Sequence, residues 1–268
     1  MYPLPLSYWP FALVLLSLSY VVDSSSSIFN GKGFHTPSYL FVVGLRDKLN
    51  PAVIFCSGSL LSANIVLTAG HCIYNYYPQD ILVVQHSNEG TSETSVVSLF
   101  THPKFHAGSR EMSNDVGLLL LQEEPSKSSD IFPEIDGENL SLKIDLGLTI
   151  AGWGAFEDGG ASASTLQYAD VQVLSFSKCQ KTMGTLYQLS RIGSFCAGDL
   201  YGLYDACQGD SGGPALATVS YQNKSKLIQV GIVSLGGTCG LSNTAAVYTR
   251  VFQYKEWIGS ISKIHPPA

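Results

Sequence analysis

Three short segments carry side chains that together could make a hydroxyl reactive: LTAGHC around His71, NDVGLLLL around Asp115 and CQGDSGGP around Ser211. A serine hydroxyl is inert at neutral pH unless a base takes its proton, and imidazole titrates in the right range for that task. A carboxylate on the other imidazole nitrogen fixes the tautomer and stabilises the imidazolium formed during transfer. Ser211 is thus the candidate nucleophile, His71 the candidate general base and acid, and Asp115 the candidate orienting carboxylate. The apolar run Val116–Leu121 follows Asp115 directly, so burial is expected, and a buried carboxylate needs partners. Gly209 has no Cβ to obstruct an inward-pointing N–H, so Gly209 and Ser211 are the candidate donors to an oxyanion. GDSGG alone could be an ordinary glycine-rich turn; the weight lies in the three segments together.

The elements that must position these groups read as strands. Leu40–Leu45, Ile54–Leu61, Ile65–Thr68, Ile81–Gln85, Val96–Thr101 and Val116–Leu121 form one series. Leu148–Ala151, Ala169–Leu174, Gly213–Ala217, Leu227–Ser234 and Ala246–Val251 form another, with Gly, Asn, Ser and Pro between them. An all-β barrel or sandwich follows, with one good helix candidate at about 252–262. The polar stretch Glu123–Glu138 has the composition of a connection between two units, and the junction is expected there.

Phe11–Val22 is a nearly unbroken apolar run followed by small residues, which reads as a signal peptide over residues 1–27. It is shorter than the roughly 20 residues needed to span a bilayer. The net charge of −6, without a Lys/Arg block, points away from nucleic acid and anionic membrane as partners. Six cysteines behind a signal peptide suit three disulfides, and spacing alone leaves every connectivity open. No CxxC pair supports zinc; Glu89 and Glu93 make a poor calcium set, so neither metal nor cofactor is expected.

The order His71, Asp115, Ser211, with these flanks, resembles the chymotrypsin/trypsin family of serine proteases from Ile28 to about Trp257. The resemblance implies two six-stranded antiparallel Greek-key β-barrels, at about 28–130 and 138–251, with a C-terminal α-helix and the reactive groups between them. It implies disulfides Cys56–Cys72, Cys179–Cys196 and Cys207–Cys239, and a hydrogen bond from Ser234 to Asp115. It also implies that Asp210 pairs with the α-ammonium of Ile28 once the chain is cut there. Gly70 stands where most relatives have alanine, and Phe29 and Asn30 replace the commoner valine and glycine. Ser27 precedes Ile28 where most zymogens have Lys or Arg. Signal peptidase, reading Ser25 and Ser27, would then generate Ile28 itself; a short serine propeptide trimmed by another protease is the alternative.

Asp205 occupies the position of the acid at the base of a trypsin-type pocket, which implies cleavage after Arg or Lys. Gly236 keeps one wall open, whereas Ala246 replaces a second wall glycine and Leu235 the usual tryptophan. The expected activity is that of a secreted, extracellular, monomeric serine endopeptidase. It would act on protein or peptide substrates and meet protein protease inhibitors. Alternatives are chymotrypsin- or elastase-like specificity, or a catalytically weak homologue that binds or regulates. Asn139 (NLS) and Asn223 (NKS) are candidate glycosylation sites.

Overall fold

The computed structural model describes residues 28, 32–33, 39–87, 90–108, 112–125, 132–155, 159–221, 224–243 and 245–264. The leader 1–27, Phe29, Asn30, Glu89 and Asn223 lie outside the described residues. A two-residue strand, β1 (Lys32–Gly33), comes first. A closed antiparallel barrel then joins β2 (Val42–Asp47), β3 (Ile54–Ser62), β4 (Ile65–Thr68), β7 (Gly117–Leu121), β6 (Gly90–Thr101) and β5 (Ile81–Ser87), in that spatial order. All four residues of β4 are buried, because neither of its faces meets solvent. Ile65, Val66 and Leu67 share one core with Leu118 and Leu119, and with Leu216 and Ile232 from the second half of the chain. Continuous apolar runs, rather than alternation, are what a strand covered on both faces requires.

The second barrel closes β9 (Gly147–Gly152), β10 (Gln167–Leu174), β11 (Ser194–Gly198), β14 (Ala246–Arg250), β13 (Lys224–Leu235) and β12 (Pro214–Tyr221), which pairs back to β9. β1 pairs with β10. The Glu123–Glu138 stretch is more than a connection: it contains β8 (Glu134–Ile135), parallel to β13, and the buried Asp136. The Asp136 carboxylate accepts from the Leu140 N–H at 3.0 Å, an anchor that polar composition alone does not reveal.

Three helices occur among the described residues, not one. α1 (Gly70–Ile73) is a single turn after β4. α2 (Phe176–Met183) buries only Cys179 and Met183, and the Cys179–Cys196 disulfide ties it to β11, which is why its weak apolar pattern suffices. α3 (Lys255–Ile264) follows a 3₁₀ turn at Val251–Tyr254. Tyr254 and Ile258 of this terminal segment belong to the core cluster that holds the first barrel's buried residues together with Leu216 and Ile232. No described helix is long and apolar enough to cross a membrane.

Candidate active site

α1 presents His71 at the barrel mouth, and the Cys56–Cys72 disulfide fastens that turn to β3. Gly70 sits close under the Asp115 loop, where a Cβ would stand 3.2 Å from Val116 O and 3.3 Å from Asp115 Oδ1. Alanine there would need a shift of a few tenths of an ångström.

Asp115 is wholly buried and well supplied with donors. Its Oδ1 accepts the His71 backbone N–H at 2.8 Å, and its Oδ2 lies 2.8 Å from His71 Nδ1. Ser234 donates its hydroxyl to the same Oδ2 at 2.6 Å. An ionised carboxylate can only accept, so Nδ1 carries the proton and Nε2 keeps its lone pair. The loop is fixed on both sides of the carboxylate. Thr249 Oγ1 donates to Asp115 O at 2.8 Å, and the Asn114 N–H, at a left-handed φ of 59°, donates to Tyr254 OH at 3.1 Å.

Ser211 lies on a tight loop braced by the Cys207–Cys239 disulfide. Within it Asp210 N–H donates to Cys207 O at 3.0 Å and Gly213 N–H to Asp210 O at 2.9 Å. Gly212 N–H reaches Val233 O at 2.8 Å, and Ser57 N–H reaches Ser211 O at 2.7 Å. Gly209 has φ 96°, and a Cβ on it would stand 2.9 Å from Gly154 Cα, so glycine is required twice over. The N–H groups of Gly209 and Ser211 have no acceptor among the described residues.

His71 and Ser211 line two adjoining cavities. One, of about 260 Å³, is walled by Ala206, Cys207, Ser234, Leu235 and Gly236. The other, of about 540 Å³, is walled by Phe55, Tyr74, Tyr76 and the Cys56–Cys72 disulfide. A chain laid across Ser211 would enter both. Asp205 and Ala246 are buried and are not among the lining residues of the smaller cavity. Burial pushes the Asp205 carboxyl up to about 6, against the N–H groups of Gly240 and Ala206. Tyr248, whose hydroxyl is buried without a hydrogen-bond partner among the described residues, is pushed well above its ordinary value by burial and by Asp205 and Asp210.

Asp210 does not face the cleft. Burial raises its carboxyl to about 7, against N–H donors from Cys207 at 2.9 Å and Gly154 at 2.8 Å. A Cβ on Gly152 or Gly154 would collide with this carboxyl group, so the GWG turn is cut to fit it. Ile28 is fully buried in the second barrel's core. Cys56, His71 and Cys72 bring potential metal ligands together, but both sulfurs are consumed in the disulfide. Glu93 pairs with Arg46 across the first barrel. Asn139 is exposed, with its Oδ1 held by Arg250 at 3.0 Å.

Three contributors were not legible in the sequence. Ser57 and Thr249 are single hydroxyls on strands outside any motif, and Asn114, though it adjoins Asp115 in sequence, owes its part to a backbone conformation.

A family model described as trypsin matches residues 28–258. Trypsin eta of Drosophila erecta is 33% identical over 235 residues, covering 85% of this chain and 85% of that protein. Trypsin eta of Drosophila melanogaster is 31% identical over 259 residues, covering 92% and 94%. The vitellin-degrading protease of Bombyx mori is 34% identical over 209 residues, covering 76% and 74%. Together, the two closed barrels and these relatives define a serine endopeptidase. The chain belongs to the trypsin family.

Proposed function

We propose that this endopeptidase is secreted and cleaves protein or peptide chains after Arg or Lys through an acyl-enzyme on Ser211. Ser211 Oγ attacks the scissile carbonyl carbon while His71 Nε2 takes its proton, and Asp115 holds the resulting imidazolium. The Gly209 and Ser211 N–H groups receive the oxyanion, as their lack of any described acceptor suits them to do. Collapse of the intermediate breaks the C–N bond, and His71 returns the proton to the departing amine. Water then repeats the sequence on the ester and frees Ser211. The carrying observation is the Ser234–Asp115–His71 chain of hydrogen bonds ending at a cleft shared with Ser211.

Asp205 is the proposed partner of the substrate cation, with Gly236 and Ala246 shaping the approach. Asp210 is the proposed partner of the Ile28 ammonium released by a cut after Ser27. Residues 1–27 act as the leader. Asn139 and Asn223 are proposed glycan acceptors, and a monomer open to protein inhibitors is the proposed working form.

Chymotrypsin- or elastase-like specificity is the second reading. It is favoured by the absence of Asp205 from the walls of the smaller cavity. Secreted protein assayed on Arg, Lys, Phe and Ala amides beside a Ser211→Ala control separates the readings. Turnover of Arg and Lys amides that vanishes in the control supports the first, and preference for Phe or Ala supports the second. Inert protein with Ile28 at its N-terminus would overturn both and leave a binding protein.

A further inference from the structure

Ser57 is fully buried on β3, in the first barrel, yet its hydrogen bonds run to the second. Its hydroxyl accepts the Trp153 backbone N–H at 3.1 Å and stands 2.8 Å from the Gly209 carbonyl oxygen. A carbonyl can only accept, so the hydroxyl proton points at Gly209. Its backbone N–H meets Ser211 O at 2.7 Å, and its own carbonyl takes the Thr68 hydroxyl at 2.8 Å. One side chain therefore ties the peptide after Gly209 to a fixed strand, two residues before the nucleophile.

We propose that the Ser57 hydroxyl is a positioning residue for the anion-binding loop, holding Gly209 so that its N–H faces the cleft. This rests on Ser211 being the nucleophile. Glycine at φ 96° lies where the chain is soft, and rotation of a neighbouring peptide costs little unless something holds it. Among the described residues Ser57 Oγ is the one donor to Gly209 O. Turning that peptide away would leave the carbonyl and the hydroxyl buried without each other, an asymmetry that penalises a lost partner more than a kept one rewards. The peptide that carries the Gly209 N–H is pinned separately, by Ala155 N–H to Gln208 O at 2.7 Å, so Ser57 fixes the second of the two peptides flanking Gly209 and with it the turn through that residue. Ser57 touches no reacting atom; it acts through Gly209.

The test compares the full secreted chain with its Ser57→Ala and Ser57→Gly variants, both lacking the hydroxyl and both keeping the strand N–H to Ser211 O. Three quantities are read: kcat and KM on an Arg amide, inhibition by a peptide aldehyde ending in Arg, and inhibition by benzamidine. The aldehyde forms a tetrahedral adduct that needs the anion site, whereas benzamidine fills only the side-chain pocket. Loss of the hydroxyl should lower kcat about tenfold, leave KM within about twofold and weaken the aldehyde by a factor similar to that on kcat. Benzamidine affinity should be unchanged. An unaltered kcat, or equal weakening of both inhibitors, overturns the inference while the protease reading stands. Wild-type protein inert on Arg, Lys, Phe and Ala amides alike overturns both, and if Phe or Ala is preferred the amide and aldehyde carry that residue instead. If one variant fails to accumulate as folded protein, the other gives the same readout.

Discussion

Each barrel supplies buried carboxyl groups, and they are furnished in opposite ways. Asp115, on the first barrel, receives a backbone N–H, an imidazole and a hydroxyl from its own protein, all within 2.8 Å. Asp205 and Asp210, in the second barrel, receive only backbone N–H groups, and burial pushes them up to about 6 and about 7. A carboxyl group whose neighbours leave it uncompensated either keeps its proton or takes a cation. The first barrel thus carries a finished charge arrangement. The second carries two carboxyl groups that a cation would compensate, as the proposed substrate cation and the proposed Ile28 ammonium would.

The sharpest way to break this contrast is to ask whether the barrels act as one unit. Ser211→Ala and His71→Ala should each lower kcat by about 10⁶-fold, and the double variant should cost little more. Near-additive losses in single-turnover assays would show the two groups working separately. Next, Asp205→Ser should lower kcat/KM for Arg amides by about 10³-fold or more while sparing Phe amides. Equal losses on both would give Asp205 a purely structural place.

The pH dependence sharpens the same contrast. Asp210 titrates near 7 in the folded chain against 3.8 as a free side chain, so the folded state holds the extra proton between those values. Stability of a chain extended by one residue before Ile28 should therefore fall as pH rises from about 4 to about 7. In the chain starting at Ile28 the ammonium favours the ionised form, and the fall should be absent or reversed. Melting temperatures across that range check this, and Asp210→Asn should erase the difference. Benzamidine affinity should weaken as pH drops through about 6, where Asp205 gains its proton. The smallest effect is expected from Ala246→Gly, at most a several-fold gain in kcat/KM for Arg and Lys amides, because Ala246 is buried and is not among the residues lining the smaller cavity.

The strand-rich character and the segments around His71, Asp115 and Ser211 were legible because each is written in contiguous residues. β11 and α2 were not: SFCAG is too short to show a period, and FSKCQKTM buries two residues and depends on a disulfide. The polar stretch before Asp136 hid a short strand because its stabilising partner, β13, lies far along the chain. Within the site, Asp205 read as the floor of a pocket from its place before Ser211. Its absence from the cavity wall depends on packing that no local pattern carries. Ser57 was invisible for a related reason, since nothing in IFCSGSLL distinguishes a hydroxyl facing another domain from one facing water.

Tyr254 and Ile258 lie in the segment Val251–Ile264 yet share a core with the first barrel, and Tyr254 OH takes the N–H of Asn114 beside Asp115. In chain order they follow His71, Asp115 and Ser211. The first barrel, though synthesised earlier, cannot complete this packing or anchor Asn114 until residue 258 has been made. A message truncated before codon 254 would yield a protein with all three reactive side chains but with the loop beside Asp115 short of one anchor.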